Sequence, residues 1–170
     1  MSLEAITAAT KKTPGISTTI YVALKDDVDV YPAREANSNN LSAAFTMKTG
    51  KVFVSVKVAT VEGKNTINTA PIGDADGGAQ EHTAVFVIPG SDPVISNKLE
   101  KMKNQECIFI VPELDGCEED DIQNVVLGTK CAGAQMTLAQ KNDGTKDYTI
   151  TGVYRSAGLL NYYNGLAVPV

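Results

Sequence analysis

The amino-acid sequence predicts a mainly β fold, an antiparallel β-sandwich or barrel-like domain of about seven strands with one flanking α-helix. Three observations lead there. Most apolar runs alternate with period two and are rich in Val, Ile, Thr and aromatic residues. Glycine-containing turns separate them, at Glu62-Gly63, Asp115-Gly116 and Asn142-Asp143-Gly144. Helical spacing together with a capping signal occurs clearly in one place.

The strands are expected at residues 17–24, 51–61, 80–88, 105–111, 122–128, 133–139 and 147–154. In the second, Val52, Val54, Val56 and Val58 share one face, opposite Lys51, Phe53, Ser55 and Lys57, which reads as an antiparallel strand with one wet side. The run Ile108-Phe109-Ile110-Val111 is apolar at every position and reads as a central strand covered on both faces. Asn142-Asp143-Gly144 joins the last two strands as a hairpin.

Ser91-Asp92-Pro93 begins the helix, with a capping side chain followed by proline at a position whose N–H has no helical partner. Ile95, Leu99 and Met102 then fall on one face at i, i+4 and i+7, and Lys98, Lys101 and Lys103 gather where the helix dipole favours cations. The helix is placed at residues 93–103, packed on a sheet through Leu99. A weaker helical pattern at residues 2–9 is broken by the stretch from Thr10 to Pro14.

Chain length bounds the organisation. The 170 residues, 43% hydrophobic and 21% charged, suit a single domain over residues 1–170, with residues 1–16 as a flexible N-terminal arm. Two stretches, 31–44 and 62–79, are rich in Asn, Ser, Gly and Pro and read as long mobile loops, of the kind that gain order on assembly. Three cysteines without CxxC spacing argue against a disulfide framework, and the N-terminus lacks the apolar core of a secretory signal, so synthesis in a cytoplasm is expected.

Charge excludes further classes. The 15 basic and 20 acidic residues give a net charge of −5, and only Arg34 and Arg155 are arginines, a poor basis for gripping nucleic acid through its phosphates. Nucleotide-binding glycine loops of the GxGxxG and GxxxxGK[ST] types do not occur.

Each cluster of reactive side chains has an ordinary reading. Asp74-Ala75-Asp76-Gly77-Gly78 resembles the start of a calcium loop but lacks the third acidic ligand, and position twelve is Val85 instead of Glu, so it reads as a glycine-rich turn. The carboxylates of Glu113, Asp115, Glu118, Glu119, Asp120 and Asp121 read as a solvated loop. His82 with Cys107 or Cys131 offers a base and a nucleophile. Yet Cys107 sits in an apolar run, as a small core hydrophobe does, and His82 reads as a sheet residue bonded to its neighbours. Tyr162-Tyr163 could stack on sugars or bases, but reads as a terminal strand wedged against a neighbouring surface. No catalytic, cofactor-binding or metal-binding residue is assigned, no cofactor is expected, and an enzyme is disfavoured.

One resemblance bears on function. The run from Glu81 to Pro93 (EHTAVFVIPGSDP), the strand ending Val125-Val126-Leu127-Gly128, and the run from Asp143 to Gly152 (DGTKDYTITG) resemble virion structural proteins of Bacteroidetes phages and prophages, which in turn resemble tail tube proteins. The likeness covers roughly residues 80–165 and rests on the order of these features. It implies a virion subunit, made in the bacterial cytoplasm, that self-associates into hexameric rings and contacts other virion proteins. The stacked rings would let DNA pass without binding it, and no membrane is involved. A carboxylate-rich subunit suits such a conduit, because it repels phosphates. The alternatives are a phage head decoration or accessory virion protein, and a secreted β-sandwich module that binds a ligand or glycan.

Overall fold

The computed structural model describes residues 15–59, 63–73, 78–90, 92–114, 123–141, 147–163 and 168–170. It is mainly β, with one α-helix and one large antiparallel sheet among the described residues. In chain order the strands are β1 (Gly15–Ile16), β2 (Thr19–Leu24), β3 (Val28–Val30), β4 (Thr46–Met47), β5 (Val54–Lys57), β6 (Thr66–Ile72) and β7 (Ala79–Pro89). Helix α1 (Pro93–Glu100) follows, then β8 (Glu106–Leu114), β9 (Gln123–Leu127), β10 (Ala134–Lys141), β11 (Asp147–Ser156) and β12 (Asn161–Tyr162). Every expected strand is present in whole or part, and the additional ones raise the number above seven.

The long strands curl into a barrel. β7 pairs with β11, β11 with β10, β10 with the start of β8, β8 with β2, and β2 with β5. The ring closes just beyond β5, where the Ala59 N–H donates to the Val87 carbonyl at 2.7 Å. Asn65 strengthens this seam, its amide nitrogen donating to the Ala59 carbonyl while its amide oxygen accepts from the Val87 N–H. Alternate residues point inward. Ile20 and Val22, Ala84, Phe86 and Ile88, Cys107 and Phe109, Met136, Tyr148 and Ile150 fill the interior. Burial of such side chains is worth about 1.5 to 3 kcal/mol each, which outweighs the modest propensities of the strands themselves.

Gly152 is required inside this barrel. A Cβ there would lie 2.9 Å from Cε2 of Phe109, whose ring fills the space a side chain would take. Its strand neighbours Ala84 and Met136 complete the same layer.

β8 is the central strand that its continuous apolar run predicts. Cys107, Phe109 and Val111 face the interior, whereas Ile108 and Ile110 enter a second core outside the barrel wall. That core also takes Ala23, Val28, Leu41, Phe45, Phe53, Val126 and Tyr163. Phe45 anchors it, with Tyr31, Phe53 and Tyr163 packed around its ring at centroid distances of 5.0 to 5.4 Å. Tyr162-Tyr163 is wedged in as expected of a terminal strand: Tyr162 ends β12, Tyr163 is fully buried in the second core, and its carbonyl accepts from the Asn124 side chain.

α1 matches the sequence closely. Asp92 caps it by accepting from the Val94 N–H, and Leu99 is 3% exposed. The regular helix stops at Glu100, because the following residues to Asn104 form turns, so its expected end at 103 moves inward.

Other expectations change. The strand placed at 51–61 shrinks to β5, and its valine face is buried only toward Val58, while Val52 and Val54 are each 49% exposed. Phe53, assigned to the wet side, is buried because the second core covers that face. The stretch 31–44 is anchored by Leu41, by the bridge Arg34–Leu41 and by Arg34 bonding Asn161. Much of 62–79 is strand β6, paired along its length with β7. Gly15 and Ile16 pair with Leu114 and Glu113, which shortens the expected arm of 1–16. The helical pattern at 2–9, the carboxylates of Asp74 and Asp76, Cys117, most of the acidic loop and the Asn142–Gly144 turn lie outside the described residues.

Candidate functional site

Among the described residues, His82 and Cys107 are not brought together. His82 lies on β7 and Cys107 on β8, with β10 and β11 between them in the sheet. Cys107 is fully buried, and burial pushes its thiol up to about 12, far from the thiolate a nucleophile needs. Cys131 is exposed.

His82 is a satisfied core histidine. Its Nδ1 lies 2.8 Å from Thr69 Oγ1, and its Nε2 lies 3.0 Å from Ser156 Oγ and 3.1 Å from the Gly158 carbonyl. A carbonyl only accepts, so in the neutral ring Nε2 carries the proton and Thr69 donates to Nδ1. The nitrogen facing Ser156 is therefore not placed to act as a base. Tyr154 stacks on the imidazole at 5.6 Å and completes the enclosure. The cluster ties β6, β7 and β11 together.

What remains at the surface is backbone. β6 ends the path of the sheet, paired on one side with β7 and, among the described residues, open on the other. Its sequence, TINTAPI, contains no charged residue, and Pro71 is its one residue without an N–H donor. Monomeric proteins usually protect such an edge with lysines, proline, a bulge or a covering loop, since unpaired N–H and C=O groups template another strand, and β6 carries only Pro71 near one end.

Among the described residues β5 presents a second open edge. Val58 donates to the Thr18 carbonyl, so the even-numbered residues of this segment direct their backbone groups toward β2. The odd-numbered residues direct theirs away. Of these, the Phe53 N–H donates to the Pro169 carbonyl and the Ala59 N–H to Val87, and among the described residues no strand pairs with Ser55 and Lys57 on that side. Beside β5 lies a groove of about 220 Å³ lined by Val54, Val56, Ile88, Ile95, Leu99 and Met102, with Lys57 and Lys98 also on its walls. Sequence reasoning missed both edges, because an open edge is a property of pairing and leaves no residue motif.

Some of the surface charges are paired locally. Arg155 pairs with Glu81 at 2.8 Å, and Arg34 is held by Asn161 and the Leu159 carbonyl. Lys25 pairs with Glu106, Lys51 with Asp27, and Lys64 with Asp147. Both arginines are thus engaged inside the subunit.

No family model matches this chain, and no match is found among curated proteins or solved structures. Among the described residues no helix is long and apolar enough to cross a membrane.

Proposed function

We propose that the protein is a non-enzymatic structural subunit of a phage or prophage virion, a tail tube protein that oligomerises into rings around a DNA conduit. The observation that carries this reading is the uncharged edge of β6, which among the described residues pairs only with β7. A subunit that continues its sheet into a neighbour needs such an edge, and a subunit that stays alone pays a solubility penalty for it. The engagement of both arginines and the net charge of −5 support the second half of the reading, a surface that lets a polyanion slide past.

The test is sedimentation of the wild-type chain and of Ala70→Lys across a concentration series, with a parallel titration of duplex DNA at about 0.15 M salt. Ala70 is exposed on β6, so a lysine there adds a charge to the edge without disturbing the core. Concentration-dependent assembly of the wild type, weakened in Ala70→Lys, together with negligible DNA binding, is the expected result. Tight, salt-sensitive DNA binding would refute the conduit.

A further inference from the structure

We propose that the mouth of the barrel between β5 and α1 binds a short aliphatic carboxylate, its chain on the apolar floor of the groove and its head group held by Lys57 and Lys98. The site lies apart from the β6 edge and does not depend on assembly.

The floor follows from how the barrel is covered. Leu99 of α1 is buried in the barrel core, whereas Ile95, and Met102 in the turn after the helix, are only half-buried against it. On the facing wall Val54 is 49% exposed and Val56 half-buried. Helix and strand therefore do not close on each other, and about 220 Å³ stays open between them. Ile88, one residue past the Ala59–Val87 seam, lines the same space and belongs to the barrel core, so the groove reaches the edge of the interior. Barrel mouths are places where small-molecule sites form, because an apolar interior there meets solvent. Apolar side chains left half in water are stabilised when an apolar chain covers them.

Charge selects the head group. Lys57 comes from β5 and Lys98 from α1, and both are exposed at the groove. Among the described residues neither takes part in an ion pair, whereas Lys25, Lys51, Lys64 and Arg155 all do. The groove has no Asp or Glu among its lining residues, in a chain where acidic residues outnumber basic ones by 20 to 15. Two free ammonium groups over an apolar floor complement a ligand with one anionic end and one apolar end. Each lysine acts as a compact point charge, which suits a single carboxylate shared between them.

Volume sets the chain length. A water occupies about 30 Å³ in the liquid, so 220 Å³ takes about seven heavy atoms, and a chain of about six carbons fills the groove. Affinity should rise about fourfold for each CH₂ up to that length and level off beyond it, where added carbons return to solvent.

Amide NMR titration of the intact isotope-labelled chain tests this, with butanoate, hexanoate, octanoate and hexan-1-ol as probes. Hexanoate should shift the amides of Val54–Lys57 and Ile95–Met102, bind roughly tenfold more tightly than butanoate, and gain much less on extension to octanoate. Hexan-1-ol should bind about fivefold more weakly than hexanoate, the worth of two exposed charge pairs. The double variant Lys57→Gln, Lys98→Gln should weaken hexanoate by the same factor and leave hexan-1-ol unchanged. Absence of shifts in the groove at millimolar hexanoate, or shifts only elsewhere, would overturn the site. Equal affinities for hexanoate and hexan-1-ol, or full hexanoate affinity in the double variant, would overturn the carboxylate. Vesicles of phosphatidylglycerol should leave the chain in the supernatant, and co-sedimentation lost in the double variant would overturn the free ligand in favour of a lipid surface.

Discussion

Leu99→Ala probes how the helix closes the barrel. Leu99 is buried in the barrel core, between α1 and the open side of β5, and truncating it removes apolar contact and leaves a void. Large-to-small changes of this kind cost about 2 to 5 kcal/mol, depending on how far the site collapses. Here the new void adjoins the existing groove of about 220 Å³, so solvent and the Met102 side chain can move in, which places the cost near the lower end, about 2 to 3 kcal/mol. For a domain of this size that lowers the melting midpoint by roughly 4 to 12 °C. Thermal and urea unfolding of Leu99→Ala, Lys101→Ala and Val94→Ala provide the comparison. Lys101 is exposed and Val94 is 62% exposed, so each should change stability by less than about 0.5 kcal/mol. Indistinguishable midpoints for the three variants would refute the packing of α1 on the barrel.

Three further outcomes are expected of this packing. Gly152→Ala should destabilise by about 1 to 3 kcal/mol, since its Cβ meets the Phe109 ring, and urea unfolding checks it. Burial raises the Tyr31 phenol from 10.0 to about 12 and the Cys107 thiol from 9.0 to about 12, so the unfolded chain releases these protons first. Stability should therefore fall as pH rises from about 9 toward 12, and Tyr31→Phe should flatten the part above about 10. Its cost at neutral pH is the hydrogen bonds to Gly128 and Asn161. A thiol reagent at pH 8 should label Cys131 quickly in the native protein and leave Cys107 unmodified until unfolding, as peptide mapping would show.

The strands that carry the barrel were legible because their burial is one-sided or complete, and both patterns leave a mark in sequence. The alternation of β7 and β11 follows inside against outside, and the unbroken run of β8 reflects two cores meeting on one strand. The helix was legible through its proline, its cap and the spacing of Ile95, Leu99 and Met102. β6 was hidden because Asn68 and Pro71 are poor strand formers, tolerated where one edge is free. Phe53 was assigned to the wrong environment because the cover over its face comes from distant segments, Leu41, Phe45 and Tyr163, which no local window contains. His82 was read correctly as a sheet residue bonded to its neighbours, although the partners Thr69 and Ser156 lie 13 and 74 positions away. The open edges that form the candidate site were not legible, since they depend on which strands end the pairing.

Negative-stain electron microscopy of the purified wild-type chain across a concentration series tests assembly into rings most directly. The account predicts closed rings of uniform diameter that stack into tubes as concentration rises, and their loss in Ala70→Lys. Only dispersed single subunits at millimolar concentration would contradict it.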